Sequence, residues 1–337
     1  MTLGKCLRIE LPDRVELATL PTPLTPAPRL AAAFELECLE VKRDDLTGFA
    51  IGGNKARPLE FLLADACLRG CDTLLTGGAA GSNFCVAAAA AARRAGLSCH
   101  LVIAGHSRQR SPGPGLARAW GASVSWTGSV NRASVDGALP VEAARLTSLG
   151  HRPYVVPRGG ATPVGALGYV LAADELFGQL SERDLSPTCV VVAVGSGGTL
   201  AGLIAGNALL GWPWTIVGAS VSRPPAEITR RVVSLARDCL LLLAARNRSR
   251  GDAERAADSV TEGLVRIVDV RGPGHSLASE AGRAAADAAL RTEGLAVDPV
   301  YTAKALAVLG ATGERAAVFW HTGGLLDVLT HMRVEKR

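Results

Sequence analysis

Residues 189–206 read CVVVAVGSGGTLAGLIAG, a β-branched apolar run followed by a glycine-rich turn and then by small apolar residues at helical spacing. This order predicts a buried strand, a tight turn and a helix. Glycines in such a turn let backbone amides approach an anion without a Cβ in the way, and the helix that follows directs its positive end at that anion. The threonine hydroxyl can add a hydrogen bond. The predicted phosphate-binding residues are Gly195, Ser196, Gly197, Gly198 and Thr199.

The spacing of these glycines bears on which phosphate binds. A dinucleotide fingerprint requires G-x-G-x-x-G, and the sixth position of this loop is Leu200. The loop therefore favours a mononucleotide-like or cofactor phosphate over a nicotinamide dinucleotide. A strand-to-helix turn without any ligand is the structural alternative.

The rest of the chain alternates apolar, β-type runs with alanine-rich helical stretches, which predicts parallel strands joined by crossover helices. With 337 residues the chain is long enough for two lobes. Residues 236–261 predict two helices around a polar turn. The candidate strands are 72–76, 99–105, 152–157, 189–194, 215–221 and 316–321.

One lysine stands out in a chain that has only five. Lys55 directly follows a Gly-Gly-Asn turn and precedes an apolar helical pattern that Gly70 ends. An enzyme could hold an imine-forming amine in this way, although a solvated residue in the first helical turn would give the same spacing.

A lysine for an imine and a cradle for one phosphate are the minimal apparatus for pyridoxal 5'-phosphate. The chain resembles the fold-type II (tryptophan synthase β-like) pyridoxal-phosphate enzymes, and within them the branch of D-cysteine desulfhydrases and 1-aminocyclopropane-1-carboxylate deaminases. Short segments in the family's order carry this resemblance: PTPLTPAPRL at 21–30, VKRDDLTG at 41–48, GGNKARPLEF at 52–61, TGGAAGSN at 76–83, GSGGTLAGL at 195–203, DPVYTAKA at 298–305 and HTGG at 321–324.

The resemblance implies an α/β fold with two open parallel-sheet lobes and the cofactor between them. Residues 1–48 and 166–337 would form a discontinuous large domain that binds the cofactor phosphate. Residues 49–165 would form a small domain that carries Lys55 and the carboxylate-binding loop. The resemblance also implies a homodimer.

Ser82 and Asn83 follow a glycine-rich turn where a helix N-cap belongs, and satisfying the first helical amides would explain them. The resemblance implies more: this segment would hold the substrate carboxylate, Asn83 would lie beside the phenolic oxygen of the cofactor, and Ser82 would reach the substrate. Gly81 and Phe84 depart from the polar residues that relatives commonly carry there, which suggests a different substrate specificity.

Tyr301 precedes a helix, where an aromatic residue usually serves in packing. The resemblance implies that Tyr301 lies against the pyridine ring and acts as acid, base or nucleophile. It also implies that Thr302 and Thr322 contact the cofactor near its pyridine nitrogen. Threonine at both positions resembles the desulfhydrases, and a hydroxyl there suits β-elimination.

His275 lies in RGPGHSLAS, a segment that resembles the family's Gly-Pro-Gly-Tyr sequence. A lone loop histidine is commonly structural or solvated. In the pocket that the resemblance implies, His275 would be a catalytic acid toward the leaving group. His321 is interpreted as structural.

Composition limits the other possible classes of protein. The sequence contains no apolar run of 18 residues and no basic-apolar leader. We therefore expect neither a membrane span nor a signal peptide. Eight cysteines without a C-x-x-C pair predict free thiols in a reducing, cytoplasmic compartment and no metal site. The net charge of +5 comes from dispersed arginines, without the aromatic and basic interleaving of nucleic-acid binders.

We therefore predict a pyridoxal-phosphate lyase that acts on a small amino acid. The favoured reaction is β-elimination from D-cysteine or a related β-thio amino acid, with Lys55 removing the α-proton and a thiol or sulfide leaving. Ring opening of 1-aminocyclopropane-1-carboxylate by Ser82 or Tyr301 is the nearest alternative. β-Replacement, racemisation and an inactive binding protein on the same scaffold are the others.

Overall fold

The computed structural model describes residues 7, 10–107, 111–246, 250–272, 274 and 277–332. The strands in this part of the chain are β1 (Leu24–Pro26), β2 (Cys38–Arg43), β3 (Thr73–Ala79), β4 (Ser98–Ala104), β5 (Ser123–Trp126), β6 (Pro153–Val155), β7 (Cys189–Val194), β8 (Thr215–Ser220), β9 (Arg266–Asp269) and β10 (Ala316–His321). They form a six-stranded sheet in the order β1-β2-β10-β7-β8-β9 and a four-stranded sheet in the order β5-β4-β3-β6. Every neighbouring pair is parallel except the edge pair β1 and β2.

The helices of the described chain connect and cover these strands. They are α1 (Pro28–Ala33), α2 (Ala56–Leu68), α3 (Asn83–Arg94), α4 (Pro112–Ala119), α5 (Ser134–Ser148), α6 (Pro163–Glu182), α7 (Gly198–Leu209), α8 (Pro225–Arg246), α9 (Arg250–Ser259), α10 (Glu280–Glu293), α11 (Thr302–Leu306) and α12 (Leu325–Met332).

The larger sheet is covered on both faces. All six residues of β7 are buried, and they alternate between two hydrophobic cores. Val190 and Val192 pack in a core shared with α6, α7 and α8, whereas Val191 and Ala193 pack with α1, α10 and α11. A parallel strand with apolar residues on both faces is expected where helices lie on each side of the sheet.

The smaller sheet is also covered on both faces. Leu74 and Leu101 belong to the core that contains α2 and α3, and Leu75 and Val102 belong to the core that contains α5. The alternation along β3 and β4 thus separates two apolar layers.

The predicted parallel α/β architecture is confirmed, since the six candidate strands fall on β3, β4, β6, β7, β8 and β10. The predicted helix pair of 236–261 corresponds to α8 and α9, although the turn at 247–249 lies outside the described residues. No helix of the described chain has the length and apolar character that crossing a bilayer requires.

The strands of the smaller sheet all come from residues 73–155, and those of the larger sheet come from 24–43 and 189–321. The domain limits themselves stay a prediction. The limit proposed at 165/166 falls in the first turn of α6, and a limit between β6 and α6 would leave that helix whole.

A buried polar network fixes the start of α2, the helix that follows Lys55. Arg57 Nη2 donates to Asp44 Oδ1 at 2.8 Å and to Glu175 Oε1 at 2.9 Å, and Lys42 Nζ also bonds Glu175. All four of these side chains are buried. Because Arg57 is two residues from Lys55, this network holds the chain that carries the lysine.

Candidate active site

A cavity of about 760 Å³ lies where the carboxyl ends of strands from both sheets meet. Residues 77–79 at the end of β3, Val194 at the end of β7 and residues 322–324 after β10 line it. Ligands of parallel α/β proteins bind at this edge of the sheet. The cavity brings together residues that are far apart in sequence, from Ile51 to Asp327.

Lys55 reaches the cavity from a tight glycine turn. Gly52 has φ +73° and Gly53 has φ +91°, and a Cβ on Gly52 would lie 2.6 Å from the backbone oxygen of Asp45. The Asn54 amide donates to the Thr322 carbonyl at 2.9 Å. The two glycines are therefore needed for the backbone to pass between Asp45 and Thr322.

The Lys55 amine is poised to be a nucleophile. Burial lowers its pKa to about 8, and in the described chain no carboxylate forms an ion pair with Nζ. A half-buried lysine without a compensating carboxylate loses its proton more easily than a solvated one, so about a tenth of the amine is neutral at pH 7 and more above it. Imine formation and proton abstraction both require that neutral form.

The predicted phosphate loop lies next to this turn in the wall of the cavity. Gly195, Ser196, Gly197 and Thr199 line the cavity, whereas Gly198 does not. Gly197 has φ +97° and is the N-cap of α7, so the first amides of a twelve-residue helix follow it directly. This geometry is that of an anion site at a helix N-terminus.

Close contacts explain the other two glycines of the loop. A Cβ on Gly195 would lie 3.2 Å from Tyr301 Cε1, and a Cβ on Gly198 would lie 3.2 Å from the Cα of Ala161. Thr199 Oγ1 accepts a 3.0 Å hydrogen bond from Asn54 Nδ2. The loop is thus packed against both the tyrosine and the lysine turn.

Ser82 and Asn83 begin α3 at the cavity wall. Ser82 caps the helix, since its Oγ accepts a 3.3 Å hydrogen bond from the Cys85 amide. Asn83 Nδ2 donates to Asp327 Oδ2 at 2.9 Å, while the buried Asn83 Oδ1 has no hydrogen-bond partner in the described structure. Such atoms are uncommon in folded proteins, and because Asn83 lines the cavity, a ligand bound there can supply the hydrogen bond. The roles of both residues toward substrate and cofactor stay predictions.

Tyr301 lines the cavity and is held by the carboxylate of Asp298. Asp298 Oδ1 accepts from the Tyr301 amide at 2.7 Å and from the Val300 amide at 3.0 Å. Burial raises the pKa of the Tyr301 phenol, and Asp327 and Asp298 add to that rise. The phenol therefore stays protonated at neutral pH and can donate a hydrogen bond.

The structure brings Thr322 to the cavity but not Thr302. Thr302 is fully buried at the first position of α11. Its hydroxyl donates to Asp298 Oδ2 at 2.5 Å, because Asp298 lies directly before the start of this helix. The predicted contact of Thr302 with a pyridine nitrogen therefore gains no support from this geometry. Thr322 is the threonine that can face a ligand.

The two histidines singled out from the sequence differ. His275 lies outside the described residues, so its predicted acid role stays a prediction. His321 lies outside the cavity lining, where its Nε2 pairs with the Ala296 carbonyl at 3.0 Å and its Nδ1 accepts from the Gly323 amide at 3.1 Å. This matches the structural role predicted for it.

Sequence reasoning missed several residues that shape the site. Asp298 was recognisable in principle, because an Asp shortly before a helix start commonly accepts from the first helical amides. The other missed residues carry no local signal and meet only through the fold: Asn54, Asp327, Arg132, Arg158, Arg223 and Arg231.

A family model for the pyridoxal-phosphate dependent enzymes matches residues 15–323. The chain belongs to this family. Members bind pyridoxal phosphate, and the cavity fits it: Lys55 would supply the amine, the phosphate loop offers the first amides of α7, and the buried Asn83 Oδ1 has no hydrogen-bond partner in the described structure.

Individual members of this pyridoxal-phosphate enzyme family resemble the chain over nearly its whole length. A Pyrococcus abyssi (strain GE5 / Orsay) protein named "Putative 1-aminocyclopropane-1-carboxylate deaminase" is 37% identical over 319 residues, with 93% of this chain and 92% of that protein covered. A D-cysteine desulfhydrase of Salmonella choleraesuis (strain SC-B67) is 36% identical over 324 residues, with 92% and 94% covered.

Solved structures agree on the fold. A homologue of 1-aminocyclopropane-1-carboxylate deaminase superposes with a TM-score of 0.82 at 30% identity, over 95% of this chain and 94% of the other. A fungal L-serine ammonia-lyase from Rhizomucor miehei gives a TM-score of 0.67 at 17% identity over 94% and 98%, which shows the shared fold. The pyridoxal-phosphate enzyme described here thus has the fold-type II architecture that its sequence predicted.

Proposed function

We propose that this enzyme is a lyase that catalyses β-elimination from D-cysteine or a related β-thio amino acid and yields a 2-oxo acid, ammonia and a thiol or sulfide. The observation that carries the proposal is the Lys55 amine, which has a pKa of about 8 and lies in one cavity with the phosphate loop, Tyr301 and Thr322. The similarity to a D-cysteine desulfhydrase supports the choice of substrate.

Binding in this proposal uses two helix N-termini. The amides of 195–199 and the start of α7 hold the cofactor phosphate, with Thr199 as a hydroxyl donor. The start of α3 holds the substrate carboxylate at Ser82 and Asn83. Thr322 lines the cavity and would offer the pyridine ring of the cofactor a hydroxyl rather than a carboxylate, which suits elimination better than storage of charge in the ring. When bound, pyridoxal phosphate withdraws electrons from the α-carbon and makes the α-proton acidic.

Two side chains act on the bonds that react. The neutral Lys55 amine removes the α-proton, and the electrons of that C–H bond form the Cα–Cβ double bond while the C–S pair leaves with sulfur. The Tyr301 phenol, which its raised pKa keeps protonated, donates a hydrogen bond to the leaving thiolate, and the thiolate takes its proton from solvent. The released 2-aminoacrylate hydrolyses in water to pyruvate and ammonia.

Ring opening of 1-aminocyclopropane-1-carboxylate is the second candidate, because a relative and a solved neighbour carry that name. This substrate has no α-proton, so Ser82 or Tyr301 would have to act on the ring. Its product is 2-oxobutyrate instead of pyruvate, and the two reactions are therefore separated by product analysis.

The test is a visible spectrum of the purified protein with D-cysteine, L-cysteine or the cyclopropane amino acid added, with sulfide, pyruvate and 2-oxobutyrate assayed in parallel. We expect a cofactor band that D-cysteine shifts, together with sulfide and pyruvate. Lys55→Ala should lose that band and turnover, and full activity in this variant would refute the assignment. In His275→Phe, an unchanged acidic limb of the pH–rate profile would argue against the predicted acid role.

A cytoplasmic homodimer completes the proposal. The resemblance to the desulfhydrase branch supports the dimer, and the free thiols of the described cysteines are typical of a reducing compartment. Light scattering after gel filtration and fractionation of the source cells test these two points.

A further inference from the structure

Arg231 of α8 contacts the phosphate loop in two ways. Its Nε donates a 2.8 Å hydrogen bond to the Ser196 carbonyl. Its Cδ lies 4.0 Å from the point where a Cβ on Gly197 would lie, and Ile228 and Val232 of the same helix also border that point. The stem of Arg231 therefore packs against the N-cap of α7, and its guanidinium lies at the peptide that joins Ser196 to Gly197.

The hydrogen bond from Arg231 fixes the direction in which this peptide faces. A trans peptide is planar, so its N–H and C=O point in opposite directions. Because the Ser196 carbonyl is turned to Arg231, the Gly197 N–H points away from the guanidinium. Nothing in the described chain accepts a hydrogen bond from this N–H, and Gly197 lines the cavity. The N–H is therefore available to an anion that binds there.

The loop itself does little to hold this peptide in place. Gly197 has φ +97°, and Gly195 and Gly198 lie on either side of the Ser196–Gly197 pair. Glycines leave a backbone free to rotate. If the peptide turned over, the Ser196 carbonyl oxygen would face the bound phosphate, and two negative groups would repel each other. The contact with Arg231 opposes that rotation.

Arg231 also differs in charge from two other arginines of the cavity wall. Arg158 donates through Nε and Nη2 to Asp136 at 2.7 and 2.6 Å, and Arg223 pairs with Glu227. Among the described residues no carboxylate lies within ion-pair distance of Arg231. A neutral carbonyl does not neutralise a guanidinium, so the positive charge of Arg231 remains at the peptide. This charge polarises the peptide and makes its N–H a stronger donor.

We propose that Arg231 is a positioning residue for the cofactor phosphate. It holds and polarises the peptide between Ser196 and Gly197, so that the Gly197 N–H is ready to donate to the phosphate before the cofactor binds. Arg231 acts through this peptide and does not contact the reacting atoms. The inference rests on the phosphate site of the proposed function and is independent of which amino acid is cleaved.

Pyridoxal, which lacks the phosphate, makes the test specific for this group. The affinities of the cofactor-free protein for pyridoxal phosphate and for pyridoxal are measured by fluorescence titration, and their ratio reports the contribution of the phosphate. Arg231→Met keeps an unbranched stem against Gly197 but removes the donor and the charge. We expect this variant to lower the ratio about ten-fold or more, because a hydrogen bond to a charged group is weakened. Its affinity for pyridoxal should equal that of the wild type.

The neighbouring arginine is a matched control. Arg230 is exposed, its Nε donates to the Ala226 carbonyl of its own helix, and it does not line the cavity. Arg230→Met removes the same charge from the same helix and should leave the ratio unchanged. Arg231→Lys restores a charged donor and should recover part of the ratio. An equal loss of affinity for both compounds in Arg231→Met, or no loss at all, would overturn the inference.

Thr199→Val separates this inference from the proposed function, because it alters the loop directly. If Thr199→Val lowers the ratio and Arg231→Met does not, the loop binds the phosphate without Arg231, and only the inference fails. If neither variant lowers the ratio, the phosphate lies elsewhere, and the phosphate site of the proposed function fails as well. A ratio that falls in both variants, in a protein that releases no thiol from any β-thio amino acid, would support the inference and refute the elimination.

Discussion

Asn54 Nδ2 donates a 3.0 Å hydrogen bond to Thr199 Oγ1 and thereby ties the turn that carries Lys55 to the phosphate loop. The backbone amide of the same asparagine bonds the Thr322 carbonyl at 2.9 Å. One residue thus connects three segments that are distant in sequence. The distance between the amine and the phosphate site depends on these bonds.

The first prediction concerns this link. Asn54→Ala should weaken binding of pyridoxal phosphate by about 1 kcal/mol, which is the usual net value of one hydrogen bond, and Thr199→Val should weaken it further, because it also removes the hydroxyl proposed to donate to the phosphate. The double variant should lose less than the sum, because the second substitution removes a bond that is already absent. Fluorescence titration of the cofactor-free protein measures the affinities. Thr199→Ser keeps the acceptor and serves as the control, and strictly additive losses would show that the two residues act independently.

The fold could be predicted from the sequence because the central strands are continuous apolar runs that end in recognisable turns. β7 is apolar on both faces and ends in a glycine turn, which leaves little choice of structure. β2 was missed because it contains Glu40 and Lys42, charged residues that are rarely buried. The structure buries both: Glu40 pairs with Arg183, and Lys42 with Glu175. Ion-pair partners that lie far away in the sequence cannot be predicted from the strand segment alone.

The same limit applies to the site. Lys55 and the phosphate loop were predictable because glycine turns mark them locally. The cofactor contact of Thr302 follows from the family resemblance alone and stays a prediction, since the structure shows its hydroxyl bonded to Asp298. The four arginines that line the cavity, Arg132, Arg158, Arg223 and Arg231, have no sequence pattern in common, since they come from separate loops and from α8.

The second prediction follows from the lowered pKa of Lys55. Between about pH 8 and the ordinary lysine pKa, the unfolded chain binds a proton that the folded chain does not bind. Stability must therefore rise with pH across this window. Without cofactor, the wild type should gain about 2 kcal/mol relative to Lys55→Met as the pH rises from about 8 to about 10.

Urea unfolding at several pH values measures this difference. Lys42, whose pKa is also lowered to about 8, is present in both proteins, so its contribution cancels. Parallel stability curves for the two proteins would mean that Lys55 has an ordinary pKa in the folded state.

The third prediction separates the two threonines. Thr322→Val should shift the visible band of the bound cofactor and lower kcat, because Thr322 lines the cavity. Thr302→Val should leave the band in place and destabilise the protein by about 1 to 3 kcal/mol, because it removes a buried partner of Asp298. Thr302→Ser keeps the hydroxyl and is the matched control. A band shift in Thr302→Val alone would restore the role predicted from the sequence.

The fourth prediction concerns the network behind Lys55. Arg57→Met should cost about 3 to 5 kcal/mol of unfolding free energy, because it leaves the buried carboxylates of Asp44 and Glu175 without their shared guanidinium. Arg69→Met removes an exposed arginine that pairs with Asp65, and it should cost no more than about 1 kcal/mol. Denaturant titration of both variants gives the comparison.

A lysine at the same position distinguishes charge from geometry. Arg57 donates through three nitrogens, which reach Asp44 and Glu175 together. A single ammonium group cannot span both carboxylates, so Arg57→Lys should recover only part of the loss. Full recovery by Arg57→Lys would mean that charge alone holds the start of α2. Partial recovery, accompanied by weaker cofactor binding, would show that the fork of the guanidinium positions the chain leading to Lys55.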